Sequence, residues 1–438
     1  MTPMKRDPLA LEGREHDLLV IGGGIAGAWT VYEAASRGLK AALIESEDFG
    51  QATSWSSLKT AHGGLRHLQR LDVAGFRESV LERRALLRVA PEVVKPLGFA
   101  VTASSVFDQV KFFLGGMAND LLSFDRNEGV SDDREIGPSR LVDRTEGEAL
   151  GAAPLAADRV FIWQDAQITH TERLLMSLLH AATDASAIVA NHCRIVSAAS
   201  TTTGFEIRAL DAIGGQTLTL QTRAVVNAAG ASLEDVARLF DETCDSPPLI
   251  RGANIVLAGP STSKLALGAR DHGRFLFLVP WQGCSILGTM YDRGARSVER
   301  LVQELLAAGK RAFPWAQIEE SRIRVVHSGY VPGGPDGEPI YRSRVIAHRN
   351  PRVVSILTAK YTTARRTAEK AVDHLGPTLG VSLALSVSAT RPLDFAKPLS
   401  GPIDDQLRFA EEGEMATSRA EAMRGRLIEG AGGDEGRS

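Results

Sequence analysis

The sequence predicts an α/β chain of two lobes, in which a parallel sheet is assembled from separated segments and an antiparallel sheet is inserted between them. Three observations carry this. A strand, a glycine-rich turn, a helix and a second strand follow one another without interruption over residues 16–45. Buried-type strands of the same apolar kind recur only far downstream, at 224–226 and 353–357, and hairpin-like pairs lie between. At 438 residues the chain is also long for one core, so two lobes are expected.

The N-terminal unit comes first. Leu18, Leu19, Val20 and Ile21 read as a buried parallel strand, and 26–37 as a helix closed by Gly38. Gly22 permits a tight turn, Gly24 lets backbone approach a pyrophosphate at the helix N-terminus, and Gly27 allows close packing of helix on strand. Glu45 stands about twenty residues on, where an acid bonds a ribose hydroxyl and rejects a 2'-phosphate. This is the front end of a dinucleotide site. Beyond it, 51–57 is small and polar and leads into Lys59, His62, Gly63, Gly64, Leu65 and Arg66, a loop with chemistry rather than a linker. A charged helix is expected over 76–89, with Pro91 marking its exit.

The next segment, 110–124, carries Phe112, Phe113, Leu114, Met117, Leu121 and Leu122; core packing is expected of it, with peripheral membrane contact as the second reading. The acidic and basic stretch 125–148 reads as surface, and 169–182 as a helix with Leu174, Leu175, Leu178 and Leu179 inward. Strands follow over 187–227, with Gly214-Gly215 turning between 205–210 and 217–220, and the run ends in Asn227-Ala228-Ala229-Gly230, small residues suited to backbone lying near a bulky group. Segments 274–279 and 284–290 pair around 281–283, and the strand at 353–357 leads at once into a helix over about 361–375. After Gly376 the chain turns rich in Pro, Gly and Ser, with one more helix at 414–428 and a disordered tail at 430–438. The implied division is 15–95, 160–243 and 320–376 for the nucleotide lobe, 96–159 and 244–319 for the substrate lobe, and 377–429 for a small helical remnant.

Composition excludes several classes. Formal charge is −3, from 50 basic and 53 acidic residues, so no global basic field argues for nucleic acid. Cys193, Cys244 and Cys284 form no CxxC pair, read as buried free thiols and suit a reducing compartment; the ten histidines lack HExxH spacing, so no metal site is expected. Residues 1–14 contain no apolar stretch of the kind that leads secretion, and no run is long and apolar enough to span a bilayer. A cytoplasmic protein, at most peripheral on the inner membrane face, is the expectation.

Together these motifs resemble the FAD-dependent glycerol-3-phosphate dehydrogenases, within the glycine and D-amino-acid oxidase superfamily. The resemblance rests on Ala52-Thr53-Ser54 through Lys59, His62-Gly63-Gly64-Leu65-Arg66 with Leu68, Asn227-Ala228-Ala229-Gly230, Val279-Pro280-Trp281, Leu287-Gly288-Thr289 and Lys360-x-Thr362-Thr363-x-Arg365. It implies a glutathione-reductase-like Rossmann FAD-binding lobe, a substrate lobe on an antiparallel sheet, and hydride transfer from a small anionic substrate to flavin N5 with electrons passed to a quinone. By motif position Gly22, Gly24, Ala26, Gly27 and Glu45 would hold the ADP half. Thr53, Ser54, Lys59, His62, Gly63 and Gly64 would line the path from pyrophosphate to isoalloxazine, and Ile195, Ala229, Gly230 and Thr362 complete the cofactor set.

Two residues also make physical sense unaided. Lys360, between a strand and a helix N-terminus, sets positive charge where a reduced flavin is negative, and the Thr362-Thr363 pair can cap that helix. Arg66, after a double glycine, can grip a phosphate or carboxylate in bidentate fashion. Departures from the family gather at the substrate: Val331 replaces an arginine, Asn254 a histidine, His67 a tyrosine and Thr358-Ala359 a double glycine. An amide is no general base, which leaves His62, His67 or a water for that task. Arg66, Lys360, His62, Asn254 and Arg342 are thus the candidate catalytic residues, with Arg342 or Arg344 as alternative phosphate contacts. An amino-acid or amine oxidase of the same superfamily and a non-catalytic flavin sensor are the competing readings.

Overall fold

A computed structural model describes residues 6–259, 261–292 and 297–395. Among them seventeen strands form two sheets. The first contains β1 (Glu15–Ile21), β2 (Ala41–Ile44), β7 (Ile188–Ala190), β8 (Cys193–Ser200), β9 (Phe205–Asp211), β10 (Thr217–Asn227), β16 (Arg344–Ala347) and β17 (Val353–Leu357). The second contains β3 (Thr60–Ala61), β4 (Val94–Thr102), β5 (Arg140–Asp143), β6 (Arg159–Ile168), β11 (Leu249–Leu257), β12 (Ala266–Asp271), β13 (Arg274–Trp281), β14 (Cys284–Asp292) and β15 (Ile323–Pro332). Helices are α1 (Ile25–Ser36), α2 (Leu65–Gln69), α3 (Val73–Val89), α4 (Val106–Leu122), α5 (Arg144–Gly147), α6 (Thr171–Asp184), α7 (Leu233–Arg238), α8 (Val298–Ala312) and α9 (Ala364–Leu379).

In the first sheet β17, β10, β1, β2 and β7 run parallel in that order. Such strands are buried on both faces, which is why they read as continuous apolar runs. Leu18 and Val20 pack with Trp29, Leu174, Leu178, Ala368 and Val372 of α1, α6 and α9; Leu19 and Ile21 pack on the other side with Ile207, Leu218 and Leu220. One strand serves three partners. The first half of β10 pairs antiparallel with β9, its second half parallel with β1 and β17.

The second sheet is mostly antiparallel, in the order β15-β11-β14-β13-β12-β4-β6-β3, with α8 against β11, β12 and β14. Its strands shift the expected division. Both β6 and β15 fall in segments assigned to the nucleotide lobe (160–243 and 320–376), yet both are hydrogen-bonded in this sheet. Apolar runs of similar composition feed both sheets, so composition could not tell them apart.

Two further expectations are corrected. Helix α4 does not pack into the core: Phe112 and Gly116 are its buried residues, while Val106, Phe107, Val110, Phe113, Leu114, Met117 and Leu121 are exposed. Phe112 stacks on Phe161 at 5.1 Å and Gly116 lies against the same ring, so the inner face is a narrow seam. The threonines do not cap α9 either. Thr363 is the N-cap without a side-chain cap bond, and its Oγ1 meets Ser343 Oγ at 2.8 Å instead.

Past α9 the chain runs back over the helices, where Leu393 N–H donates to the Val89 carbonyl at 2.8 Å. The helix expected at 414–428 and the tail at 430–438 lie outside the described residues.

Candidate active site

The glycine turn is built as a cradle. Gly22 has φ +109°, and a Cβ there would lie 2.6 Å from the Ala228 carbonyl oxygen; a Cβ on Gly27 would lie 1.8 Å from the Gly22 oxygen. The turn therefore presses on Ala228-Ala229, where β10 ends and Gly230 adopts φ +57°. Gly24 is the N-cap of α1 and supplies no side chain, so the α1 N-terminus, with Ala26 in its first turn, is left for an anion. Ser54 reaches it from the following loop, accepting the Ile25 N–H at 2.9 Å. Glu45, just past β2, accepts the Gly23 N–H at 2.5 Å and the Glu47 N–H at 2.8 Å, and its backbone pairs with Ala190 and Cys193. That last pairing brings in β8, on which Ile195 sits half-buried. An open helix N-terminus, side-chain-free turn residues and a carboxylate at the end of β2 fit a dinucleotide.

The loop from Thr53 to Arg66 crosses between the sheets. Thr53 donates to the Tyr330 carbonyl at 3.0 Å, fastening the loop to β15. Lys59 departs from its expected role along the cofactor path: it is fully buried, and Nζ donates to the Trp55 carbonyl at 2.8 Å, Thr171 Oγ1 at 2.5 Å and Glu172 Oε1 at 2.9 Å. An ammonium has three protons. All three are spent inside the protein, so Lys59 is a structural ion pair.

His62 and Gly63 hang from one buried carboxylate. Asp165 Oδ2 lies 3.2 Å from His62 Nδ1, while Oδ1 accepts the Gly63 N–H at 2.6 Å and Arg83 Nη1 at 2.5 Å. Burial alone would raise the Asp165 pKa, but the His62 hydrogen bond and the Arg83 charge outweigh it and hold the carboxyl below its ordinary value. Gly63 must be glycine because a Cβ would lie 2.2 Å from Arg83 Nη1. Sequence reasoning missed Asp165, although a lone acid after Val160-Phe161-Ile162-Trp163 in a buried strand was the available signal.

Arg66, Lys360 and Arg342 gather around three residues the sequence did not single out, Glu338, Tyr341 and Asp72. Arg66 Nη1 bonds Glu338 at 3.2 Å and the Tyr341 hydroxyl, and its guanidinium lies 5.0 Å from the Tyr341 ring centre. Lys360 Nζ lies 5.3 Å from that ring and 2.6 Å from His67 Nε2. Arg342 Nη2 reaches Asp72 Oδ1 at 3.3 Å, and Asp72 Oδ2 is 2.9 Å from His67 Nδ1. Burial, then the Arg66 charge, lowers the Lys360 pKa to about 8. Burial and the Lys360 charge lower that of His67 as well, so the imidazole is neutral.

Asn254 on β11 joins this cluster at a distance. It accepts from Thr289 at 2.6 Å, Thr289 hydrogen-bonds Tyr291, and Tyr291 hydrogen-bonds Tyr341. Val331 lies on β15 opposite Ile250. Arg344 donates to the Asp245 carbonyl, away from the cluster, and buried Thr362 precedes α9. Glu338 and Tyr341 follow a Gly- and Pro-rich stretch that carried no signal of its own. Among the described residues no group of three or more His, Cys, Asp and Glu is arranged to hold a metal ion.

Comparison with known proteins places the chain in a family. A family model described as FAD dependent oxidoreductase matches residues 17–362. The glycerol-3-phosphate dehydrogenase of Synechocystis sp. is 28% identical, over 89% of this chain and 75% of its own length. A probable mitochondrial glycerol-3-phosphate dehydrogenase of Caenorhabditis elegans is also 28% identical, but the chain spans 54% of it. Among solved structures, the glycerol-3-phosphate dehydrogenase of Bacillus halodurans complexed with FAD superimposes with a TM-score of 0.65 at 21% identity, over 87% of this chain and 68% of that one. A glycine cradle closed on Ala228 and a helix N-terminus open to an anion are thus set within a matched span of 346 residues (362 − 17 + 1), and the chain belongs to the FAD-dependent oxidoreductases.

Proposed function

We propose that the protein oxidises a small hydroxylated anion, glycerol 3-phosphate or a close relative, and passes the electrons to a membrane quinone. The observation that carries this reading is the convergence of Arg66, Lys360 and Arg342 on one exposed-to-buried margin between the two sheets. FAD bound at the cradle supplies the two-electron acceptor. The remaining work falls to this chain's side chains: Arg66 grips the anion, Lys360 stands beside the reacting hydroxyl, and the Asp165-anchored loop fixes His62.

The anion must compete with Glu338, which already offers Arg66 a carboxylate. Val331 supplies no second cation. A phosphate dianion therefore binds with one charge-assisted contact fewer, a loss of about 1.5–3 kcal/mol. For the acceptor, support comes from α4, whose outward face presents Val106, Val110, Phe113, Met117 and Leu121 at helical spacing. A bilayer surface is the occupant that such a face suits, and quinone is dissolved there.

The test is anaerobic flavin bleaching with glycerol 3-phosphate, glycerol, 2-hydroxy acids and amino acids. Slow reduction by glycerol 3-phosphate is expected, improved in kcat/KM by Val331→Arg and abolished by Arg66→Ala. Bleaching by amino acids alone, with peroxide formed in air, would replace this reading with an amino-acid oxidase.

A further inference from the structure

Beside the anion contacts stands an arrangement they do not require. His67 projects from α2 so that its two ring nitrogens face opposite partners: Nε2 meets Lys360 Nζ at 2.6 Å and Nδ1 meets Asp72 Oδ2 at 2.9 Å. A lysine ammonium has no acceptor to offer, so Nε2 accepts and Nδ1 carries the proton donated to Asp72; the tautomer is fixed by the partners. The backbone is shaped around the pair. A Cβ on Gly75 would lie 2.3 Å from Asp72 Oδ2 and 2.7 Å from His67 Nδ1, so only glycine leaves room. Leu71 takes φ +56° to turn Asp72 back, and the Asp72 N–H donates to the His67 carbonyl at 2.9 Å. The line runs from Lys360 to a carboxyl 28% exposed, at the solvent margin.

We propose that Lys360, His67 and Asp72 form a proton relay that carries the substrate's hydroxyl proton to water, doing the work of a base that Asn254 cannot do. The inference rests on the proposed oxidation of a hydroxyl. In that reaction FAD held at the glycine cradle would supply the acceptor for the hydride and its two electrons, and the O–H proton would go to the neutral Lys360 amine. Lys360 then passes a proton to His67 Nε2, Nδ1 gives one to Asp72, and Asp72 releases it to solvent; one proton enters and one leaves, and proton exchange with water at the two ring nitrogens returns His67 to the Nδ1–H tautomer. The charged groups around the relay are Arg66 and Arg342, which oppose protonation, and Glu78, Asp72 and Asp165, which favour it. A Lys360 pKa brought to about 8 lets the neutral amine be reached near neutrality. His67 and Asp72 are positioning residues that act through Lys360.

Two readouts test this in FAD-loaded protein. Nitrogen-15 NMR of the His67 ring should show the Nδ1–H tautomer, and Asp72→Asn, which retains the oxygen that caps Gly75 N–H, should shift it toward Nε2–H. In anaerobic flavin reduction, His67→Phe should slow the reductive step at least tenfold at pH 7, with KM little changed, and move the acid limb of the pH profile downward, because the Lys360 ammonium loses its acceptor; added imidazole should restore part of the rate. An Nε2–H tautomer in the unaltered protein, or a pH profile unmoved by His67→Phe, would overturn the relay. Should no hydroxylated anion bleach the flavin, the proposed function falls while the tautomer still decides the relay.

Discussion

Glu45 and Lys59 show how two charged residues of one motif-rich stretch come to opposite uses. Glu45 is legible because the fingerprint fixes its place at the end of β2, and its carboxylate does lie on the glycine turn at Gly23. Replacing it with Arg removes that bond and sets a cation at the ribose position; FAD content per purified chain, read from flavin absorbance, should fall at least tenfold, and an undiminished content would take Glu45 out of the site. Lys59 was legible only as a motif member. Its role depends on Thr171 and Glu172, more than a hundred residues on, and no local pattern announces them. Lys59→Met leaves Glu172 buried and unpaired, at a cost of about 3–5 kcal/mol. A loss of denaturation midpoint with the flavin spectrum unchanged is the expected result, whereas intact stability with lost flavin would return Lys59 to the cofactor. Asp165, Asp72 and Tyr341 escaped the sequence for the same reason: each is defined by a partner brought near only by folding.

Elements were legible wherever periodicity and punctuation agreed. The β1-turn-α1-β2 unit, α3, α6 and the hairpin of β13 and β14 follow from apolar spacing bounded by Gly or Pro. No helix was expected over Val298–Ala312, although Leu301, Val302, Leu305 and Leu306 make a plain stripe and all are buried. With α4 the opposite holds, since amphipathic spacing reports an apolar face without saying what covers it. Seven apolar side chains of α4 are exposed, Phe107 and Leu121 by 76% and 75%. Converting Phe107 and Leu121 to Ser should lower co-sedimentation with phospholipid vesicles several-fold. Flavin reduction by soluble substrate should stay unchanged, because these side chains face away from the sheets. Equal sedimentation of both proteins would mean that α4 docks on no lipid surface.

At the scale of the whole molecule, one buried histidine ties the second sheet to the loop that crosses between the two sheets. His327 on β15 meets the Ser57 carbonyl of the cofactor loop through Nδ1 at 2.9 Å, edge-on between Trp55 and Trp281 at 5.1 and 5.9 Å. Burial, then the charge of Lys59, pushes its pKa down to about 3, so the folded chain keeps it neutral. The unfolded chain protonates it below its ordinary value of 6.5. Between those limits the unfolded state binds more protons, so stability rises with pH and is lost as pH falls. From pH 7 to pH 5 the contribution of this one group is about 2 kcal/mol, at 1.36 kcal/mol for each unit of unfolded-state titration. The carboxylates held low by ion pairs, Asp165 and Glu172, act in the same direction only below about pH 4, where the unfolded acids titrate, and so leave this window to histidine. His16, His67 and His348 are also lowered and add to the slope, which makes the difference between two proteins the informative quantity. His327→Gln retains an N–H for Ser57 and cannot charge. Its denaturation midpoint should lie below that of the unaltered protein at pH 7 and converge on it, or pass it, by pH 5, and parallel midpoint curves would show that His327 does not stay neutral in the folded chain.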